Sequence, residues 1–239
     1  MTPQEFILKF REAFGEAAPL PIAFWYDNKA VNAESREPRS MIGAIRKVCN
    51  GSTLTLTSEK VQCPGGALYA AFRPMPEQIA FFVSQIERYK QTPEQMYAYV
   101  ESLGIELTDK SYLNFVCVDQ LASWDGVEAI VFFATPDILS GLCTWALFDN
   151  DADDAIVTKF ASGCAAVITF ATVESRKGGR RCFLGMFDPT ARPLVPKNEL
   201  SFAIPMSRFT EMLATMPDSA LYQKAFSVVR RRINGEITR

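Results

Sequence analysis

The stretch Pro21-Ile22-Ala23-Phe24-Trp25-Tyr26 is an apolar run without a charged residue, and it predicts a buried β-strand near the start of the chain. Ala129-Ile130-Val131-Phe132-Phe133 has the same character in the second half. Each run is followed by a segment that predicts a helix, Ser40–Cys49 after the first and Asp137–Leu147 after the second. Strands that alternate with helices are typical of a sheet covered by helices.

The order of predicted elements in the second half repeats the order in the first half. Each half contains an apolar strand, a helix, a short strand, a cysteine beside small residues, an apolar segment, a strand and a helix. We therefore expect an α/β (α+β) protein of two diverged pseudo-repeats, with mixed sheets flanked by helices. The repeats would be residues 18–104 and 126–216, followed by a C-terminal helix in 217–239, all within a single globular unit over 1–239. Two copies in one chain usually pack about a pseudo-two-fold axis, with a cleft between them.

The spacing of the two halves is unequal. If the apolar segments Ile79–Ser84 and Leu200–Pro205 are equivalent strands, the path from Cys164 to the second is longer than the path from Cys63 to the first. The second copy would then carry an insertion, for which Arg176–Pro196 is the obvious candidate. Glycine pairs and prolines punctuate surface loops, so we expect this segment to protrude as a hairpin or lid.

Composition and charge exclude several classes of protein. The 239 residues are 48% hydrophobic and 22% charged, which is ordinary for a globular protein. The net charge of −2 gives no overall field that would attract nucleic acid or an anionic membrane, so neither partner is expected. No apolar run is long enough to span a bilayer, and the first residues lack the basic and apolar regions of a signal peptide. We expect a cytoplasmic protein, and the sequence leaves its oligomeric state open.

The chain contains no histidine and six cysteines. The missing histidines remove Ser-His-Asp and Cys-His catalysis and every histidine-ligated metal site. Acid–base chemistry would fall to Asp, Glu, Lys, Tyr or Cys, and whether the protein is an enzyme stays open. In a reducing compartment the cysteines would be free thiols, metal ligands or redox groups rather than structural disulfides.

Two cysteines stand in similar local sequence, in Cys63-Pro64-Gly65-Gly66 and in Ser162-Gly163-Cys164. Each follows a polar segment and precedes a run of small residues. If these runs open helices, each sulfur lies near a helix N-terminus, where backbone N–H groups would stabilise a thiolate and lower the pKa of the thiol. Pseudo-symmetry would let Cys63 and Cys164 face one another across the repeat interface. The alternative is that each cysteine is a small buried hydrophobe at a chain reversal.

A basic, glycine-containing segment, Arg176–Arg181, could supply charge to the same cleft because arginine and exposed backbone N–H groups suit a carboxylate or phosphate. Neither GxGxxG nor GxxxxGK[ST] is present, so no nucleotide-binding motif is met. We expect a small anionic ligand or cofactor in the cleft, and the predicted ligand-binding residues are Cys63, Gly65, Gly66, Cys164, Arg180 and Arg181. A hairpin turn with solvated charges is the alternative for the basic segment.

Two other function classes remain open. The first is a cysteine-dependent redox or iron–sulfur protein, whose dispersed ligand set would be Cys63, Cys143, Cys164 and Cys182, with Cys49 as a substitute for Cys143. No CxxC pair exists, so the usual zinc and ferredoxin spacings are absent, and no metal is part of the leading prediction. The second is a non-catalytic interaction subunit.

The cysteine motifs and the late segment Glu199-Leu200-Ser201-Phe202-Ala203-Ile204-Pro205 together carry a family resemblance. On Cys63-Pro64-Gly65-Gly66, Ser162-Gly163-Cys164 and this segment, nearly the whole chain resembles the uncharacterised domain-of-unknown-function family 169. The resemblance implies a prokaryotic cytoplasmic protein, with many members from anaerobes. It brings no established activity, so no site residue is carried over from it.

Overall fold

Seven strands form one mixed sheet in the computed structural model, which describes residues 1–32, 40–159 and 162–238. The strands are β1 Ile22–Asp27, β2 Leu54–Leu56, β3 Tyr112–Cys117, β4 Ala129–Ala134, β5 Ile156–Val157, β6 Cys182–Gly185 and β7 Leu200–Pro205. Their order across the sheet is β2-β3-β1-β4-β7-β6-β5. The β5–β6 pair is parallel and the other neighbours are antiparallel.

Helices cover both faces of this sheet. The α-helices are α1 Pro3–Phe14, α2 Met41–Val48, α3 Pro64–Tyr69, α4 Glu77–Phe81, α5 Pro93–Leu103, α6 Pro136–Ala146, α7 Phe170–Arg176, α8 Met206–Thr215 and α9 Lys224–Ile233. Two π-helical turns, π1 Phe82–Ile86 and π2 Ala165–Thr169, continue into or out of α-helices. Short 3-10 turns lie at Val118–Gln120, Arg192–Leu194, Met216–Asp218 and Ala220–Tyr222. No helix among the described residues is long and apolar enough to cross a bilayer.

The sheet divides the apolar core into two clusters. Along β4, Val131 and Phe133 face one cluster, whereas Ile130 and Phe132 face the other, as the two-residue period of a strand requires. Helices α2, α3 and α7 pack on the first face, and α1, α6, α8 and α9 pack on the second. Burial on both faces explains why the central strands are apolar without alternation. The predicted α/β class is confirmed, with one mixed sheet.

The strand predicted at Ile79–Ser84 is wrong, because these residues are helical in α4 and π1. Pro76 is the N-cap, and Glu77 stands in the first turn, where a carboxylate is favourable at a helix start. The side chains of Phe81 and Phe82 are exposed rather than packed in a sheet. A short apolar run does not by itself distinguish a strand from a helix.

The insertion predicted at Arg176–Pro196 is also wrong, since the segment supplies β6, which pairs with β7 on one side and β5 on the other. Cys182 and Phe183 are buried in the core. Gly185 lets this strand approach the helix behind it, because a Cβ at that position would collide with Ala166. The longer excursion lies in the first half, where α4, π1 and α5 separate Cys63 from β3.

The two halves meet at the centre of the sheet, where β1 pairs with β4 in antiparallel orientation. β3 lies beside β1, and β7 lies beside β4. By position in the sheet, β7 therefore corresponds to β3, which lies outside the predicted first repeat at 18–104. The duplication and its boundaries at 18–104, 126–216 and 217–239 stay a prediction.

Candidate functional site

A cavity of about 950 Å³ lies on the first face of the sheet, between α2, α3, α4, α5 and the loop at residues 188–194. Sites for small molecules usually measure about 300–1,000 Å³. The walls are mainly apolar and aromatic, and they include Met41, Ile42, Val61, Tyr69, Ile79, Phe81, Phe82, Ile86, Tyr89, Met96, Tyr99 and Leu194. The cavity therefore has the size and the lining of a ligand site.

Cys63 and Cys164 both line this cavity, as do Gly65 and Gly66. Cys63 is exposed and is the N-cap of α3, and its Sγ accepts a hydrogen bond from the backbone N–H of Gly66 at 3.4 Å. Pro64 at the first helical position has a fixed φ that suits a helix start. The structure thus brings together four of the six residues predicted to bind a ligand.

Cys164 lies at the start of a continuous helix over residues 163–176, which comprises π2 and α7. The helix is capped by Ser162, whose Oγ accepts from the backbone N–H of Ala165 at 3.3 Å. Burial raises the pKa of the Cys164 thiol well above its usual value, and the neighbouring Cys63 and Asp188 raise it further. The predicted lowering of the pKa is wrong for Cys164, because loss of hydration outweighs the helix start.

Asp188 is a buried site residue that the sequence analysis did not single out. Its Oδ2 accepts a hydrogen bond from the backbone N–H of Gly163 at 3.1 Å, at the start of the helix that carries Cys164. Its Oδ1 accepts from the backbone N–H and the hydroxyl of Thr190 at 2.9 Å and 2.7 Å. The Asp-Pro-Thr sequence after β6 is typical of an Asx turn and was the available signal.

Two tyrosines with buried hydroxyl groups, Tyr69 and Tyr99, line the cavity, and only the first hydroxyl has a hydrogen-bond partner among the described residues. The Tyr69 side chain is hydrogen-bonded to Ser162. Burial raises the pKa of the Tyr69 hydroxyl, and the nearby Cys164 raises it further. The buried hydroxyl of Tyr99 has no hydrogen-bond partner among the described residues. Lys90 lies over the Tyr99 ring, with its Nζ 4.7 Å from the centroid. An unsatisfied buried hydroxyl in a cavity wall is a group that a ligand can satisfy.

A second carboxyl group stands near Asp188. Burial raises the pKa of Glu87, and the negative charge of Asp188 raises it further. Tyr89, two residues after Glu87, is hydrogen-bonded to Thr190, so the segment that follows π1 is joined to the turn that contains Asp188. Both carboxyl groups line the cavity, together with the ammonium of Lys90.

Unusual backbone geometry is concentrated around the cavity. The described non-glycine residues with positive φ are Ala71, Arg88 and Met186, at 57°, 62° and 71°. They follow α3, π1 and β6 respectively, all next to cavity walls. π1 supplies lining residues, and π2 begins directly after the lining residue Cys164. Left-handed non-glycine residues and π-helical turns occur preferentially at functional sites, which favours this cavity as the site.

Arg180 and Arg181 do not line the cavity, so the prediction that they would is wrong. Arg180 Nε donates to Glu211 at 2.7 Å, and Arg181 Nη2 donates to Glu174 at 2.8 Å. Both arginines follow the C-terminal end of the helix whose start carries Cys164, and a helix of that length spans about 20 Å. Their charges are matched by carboxylates far from the thiols.

The four-cysteine ligand set is not assembled. Cys182 is buried in the core of the second face, and Cys143 packs against that same cluster. The sheet separates them from Cys63 and Cys164, which line the cavity on the first face. Within the part of the chain that the structure describes, no three Cys, Asp or Glu side chains form a group that could hold a metal ion.

Comparison with known protein families finds a model that matches most of the chain. The model of the domain-of-unknown-function family 169, described as "Uncharacterised ArCR", matches residues 21–215. This range runs from β1 to the end of α8 and includes all the described residues that line the cavity. No curated protein and no solved structure matches the chain.

Proposed function

The chain belongs to the uncharacterised domain-of-unknown-function family 169, and we propose that it binds a small, mainly apolar molecule in the cavity that contains Cys63 and Cys164. The observation that carries the proposal is the cavity itself, about 950 Å³ in volume and lined by aromatic, aliphatic and methionine side chains. A compact set of polar groups at one place in an apolar cavity fixes the orientation of a ligand. Here that set would be Cys63, Cys164, Tyr69 and Asp188.

The charges around the cavity favour a neutral or cationic ligand over the anionic one expected from the sequence. Arg180 and Arg181 are paired with carboxylates elsewhere. Asp188 and Glu87 contribute two carboxyl groups to the lining, against the single ammonium of Lys90 among the described lining residues. A ligand with hydrogen-bond donors would match this set, and the Tyr99 hydroxyl offers one more partner.

The proposal is tested by titrating the purified full-length chain with Nile red, a neutral apolar dye whose fluorescence increases in apolar surroundings. We expect saturable binding at one site per chain. A Cβ at Gly65 would lie 3.5 Å from Ile79 Cδ1, an ordinary contact, so the longer side chain in Gly65→Leu would extend into the cavity and abolish the signal.

The matched control is Ala225→Leu, which introduces the same leucine side chain at an exposed position in α9 on the other face of the sheet. This variant should bind the dye like the parent. Absence of saturable binding by the parent, or equal loss in both variants, would refute the proposal.

A cytoplasmic location belongs to the proposal, because the cavity contains two thiols that remain reduced in a reducing compartment. Cell fractionation followed by detection of the chain in the membrane-free extract tests it. Recovery in an exported fraction would contradict it.

A further inference from the structure

We infer that Cys63 and Cys164 form a thiol–disulfide exchange pair, in which Cys63 attacks neutral or cationic small-molecule disulfides and Cys164 resolves the mixed disulfide. The inference rests on the proposed function, because the cavity that would bind the small molecule also contains both thiols. It goes further by naming the chemical class of the ligand and a reaction.

The difference in exposure assigns the two roles. Cys63 is exposed at the cavity, so a disulfide can reach its sulfur, which the Gly66 N–H holds in place. Cys164 is less exposed, and its buried thiol is kept protonated by its surroundings. Because only the thiolate attacks a disulfide, Cys164 does not compete for the first step.

The two cysteines are held in a fixed relation by the elements that carry them. Thr169 in π2 donates a hydrogen bond from its hydroxyl to the carbonyl oxygen of Tyr69 in α3 at 2.8 Å. The Tyr69 side chain is in turn hydrogen-bonded to Ser162, at the start of the helix that carries Cys164. These contacts join the end of α3 to the 163–176 helix, and the first residues of both helices line the cavity.

The reaction balances without a further reactant. The Cys63 thiolate attacks one sulfur of the disulfide RSSR, which forms a Cys63–SR bond and releases RS⁻. The released RS⁻ takes the proton of the Cys164 thiol, and the Cys164 thiolate so formed attacks Cys63 Sγ, which breaks the Cys63–SR bond and releases a second RS⁻. The two thiol protons of the protein go to the two released thiolates, so RSSR is reduced to two RSH while the protein dithiol is oxidised to one disulfide.

The carboxyl groups of the cavity give the pair a charge preference. Asp188 and Glu87 line the same space as both cysteines, and the ammonium of Lys90 is the one basic group among the described lining residues. An anionic disulfide such as glutathione disulfide would be repelled, whereas a cationic disulfide such as cystamine would be attracted. We expect each charge to change the rate by about three- to tenfold.

The experiment treats the reduced full-length chain with cystamine, bis(2-hydroxyethyl) disulfide or glutathione disulfide and follows intact mass and the disulfide map. We expect a Cys63–Cys164 disulfide, formed fastest with cystamine and slowest with glutathione disulfide. In Cys164→Ser the mixed disulfide should accumulate on Cys63, and in Cys63→Ser no adduct should form on Cys164. Cys143→Ser, on the opposite face of the sheet, should behave like the parent.

Several results would overturn the inference. They are a disulfide map of the folded parent without the Cys63–Cys164 bond, a fastest reaction with glutathione disulfide, or no accumulated adduct in a folded Cys164→Ser chain. The parent map decides the matter even if a variant fails to fold. Nile red binding by the reduced parent is measured on the same sample, so loss of dye binding refutes the proposed function and loss of the disulfide refutes the exchange pair.

Discussion

The carboxylate of Asp188 accepts a hydrogen bond from the backbone N–H of Gly163, one residue before Cys164, at a distance of 3.1 Å. This contact joins the turn after β6 to the start of the 163–176 helix. It places a negative charge beside the Cys164 thiol, which is one reason why the pKa of that thiol is raised. The same contact therefore contributes to the stability of the fold and to the chemistry of the cavity.

Replacing Asp188 should show both effects. Asp188→Ala removes the acceptor for three hydrogen bonds and leaves the Gly163 and Thr190 N–H groups without it, so we expect the free energy of unfolding to fall by about 2–4 kcal/mol. Urea denaturation measures this. In the folded variant, alkylation of Cys164 should begin at lower pH than in the parent because the repelling charge is gone. An unchanged pH profile would contradict the assignment.

Two glycines of the cavity should respond differently to a methyl group. In Gly163→Ala the new Cβ would lie 2.7 Å from Ala191 Cβ, closer than packed carbons allow, so the variant should lose about 1–3 kcal/mol of unfolding free energy. Gly65→Ala places its Cβ 3.5 Å from the nearest side-chain atom and should be nearly neutral. Thermal denaturation compares the pair, and equal destabilisation of both would contradict this packing.

The unpartnered hydroxyl of Tyr99 predicts a mutation that stabilises the unliganded protein. Tyr99→Phe removes a buried donor without a partner and keeps the ring beneath Lys90, so the free energy of unfolding should rise by about 1 kcal/mol. Tyr69→Phe is the matched control, since it removes a hydroxyl that is bonded to Ser162 and should destabilise. A clear loss of stability in Tyr99→Phe, by denaturation in urea, would show that the hydroxyl has a partner.

Acid should weaken the ion pair between Asp149 and the fully buried Arg208. The hydrogen bond from Arg208 lowers the pKa of Asp149 in the folded protein. The ion pair therefore contributes its full share to the free energy of unfolding above the unfolded pKa of about 3.9, and this share is lost as the pH falls through the lower folded pKa. Urea denaturation of the parent between pH 6 and 2.5 should therefore show a fall in stability that is smaller in Asp149→Asn. Identical pH dependence of the two proteins would contradict the prediction.

The central strands could be predicted from the sequence because burial on both faces gives each of them a local run of apolar residues. Both faces of β1 and β4 are covered, so β4 is apolar throughout and β1 is apolar as far as Tyr26, before the exposed Asp27. The flanking helices have local start signals, such as Ser40 before α2 and Thr92 before α5. Cys63 and Cys164 both line the cavity, although the local pattern of a cysteine beside small residues does not by itself bring two distant segments together. Their role in binding a ligand stays a prediction.

Tertiary contacts determined the features that the sequence analysis did not predict. The run Ile79–Ser84 is helical, and four of its apolar side chains line the cavity. So short a run does not reveal whether its period is two or 3.6 residues. Arg180 and Arg181 donate hydrogen bonds to the carboxylates of Glu211 and Glu174, and the fold brings these groups together. Desolvation and the approach of Asp188 reversed the pKa shift expected for Cys164. The sequence determined local structure from neighbouring residues, whereas burial and charge in the site depend on segments far apart in the chain.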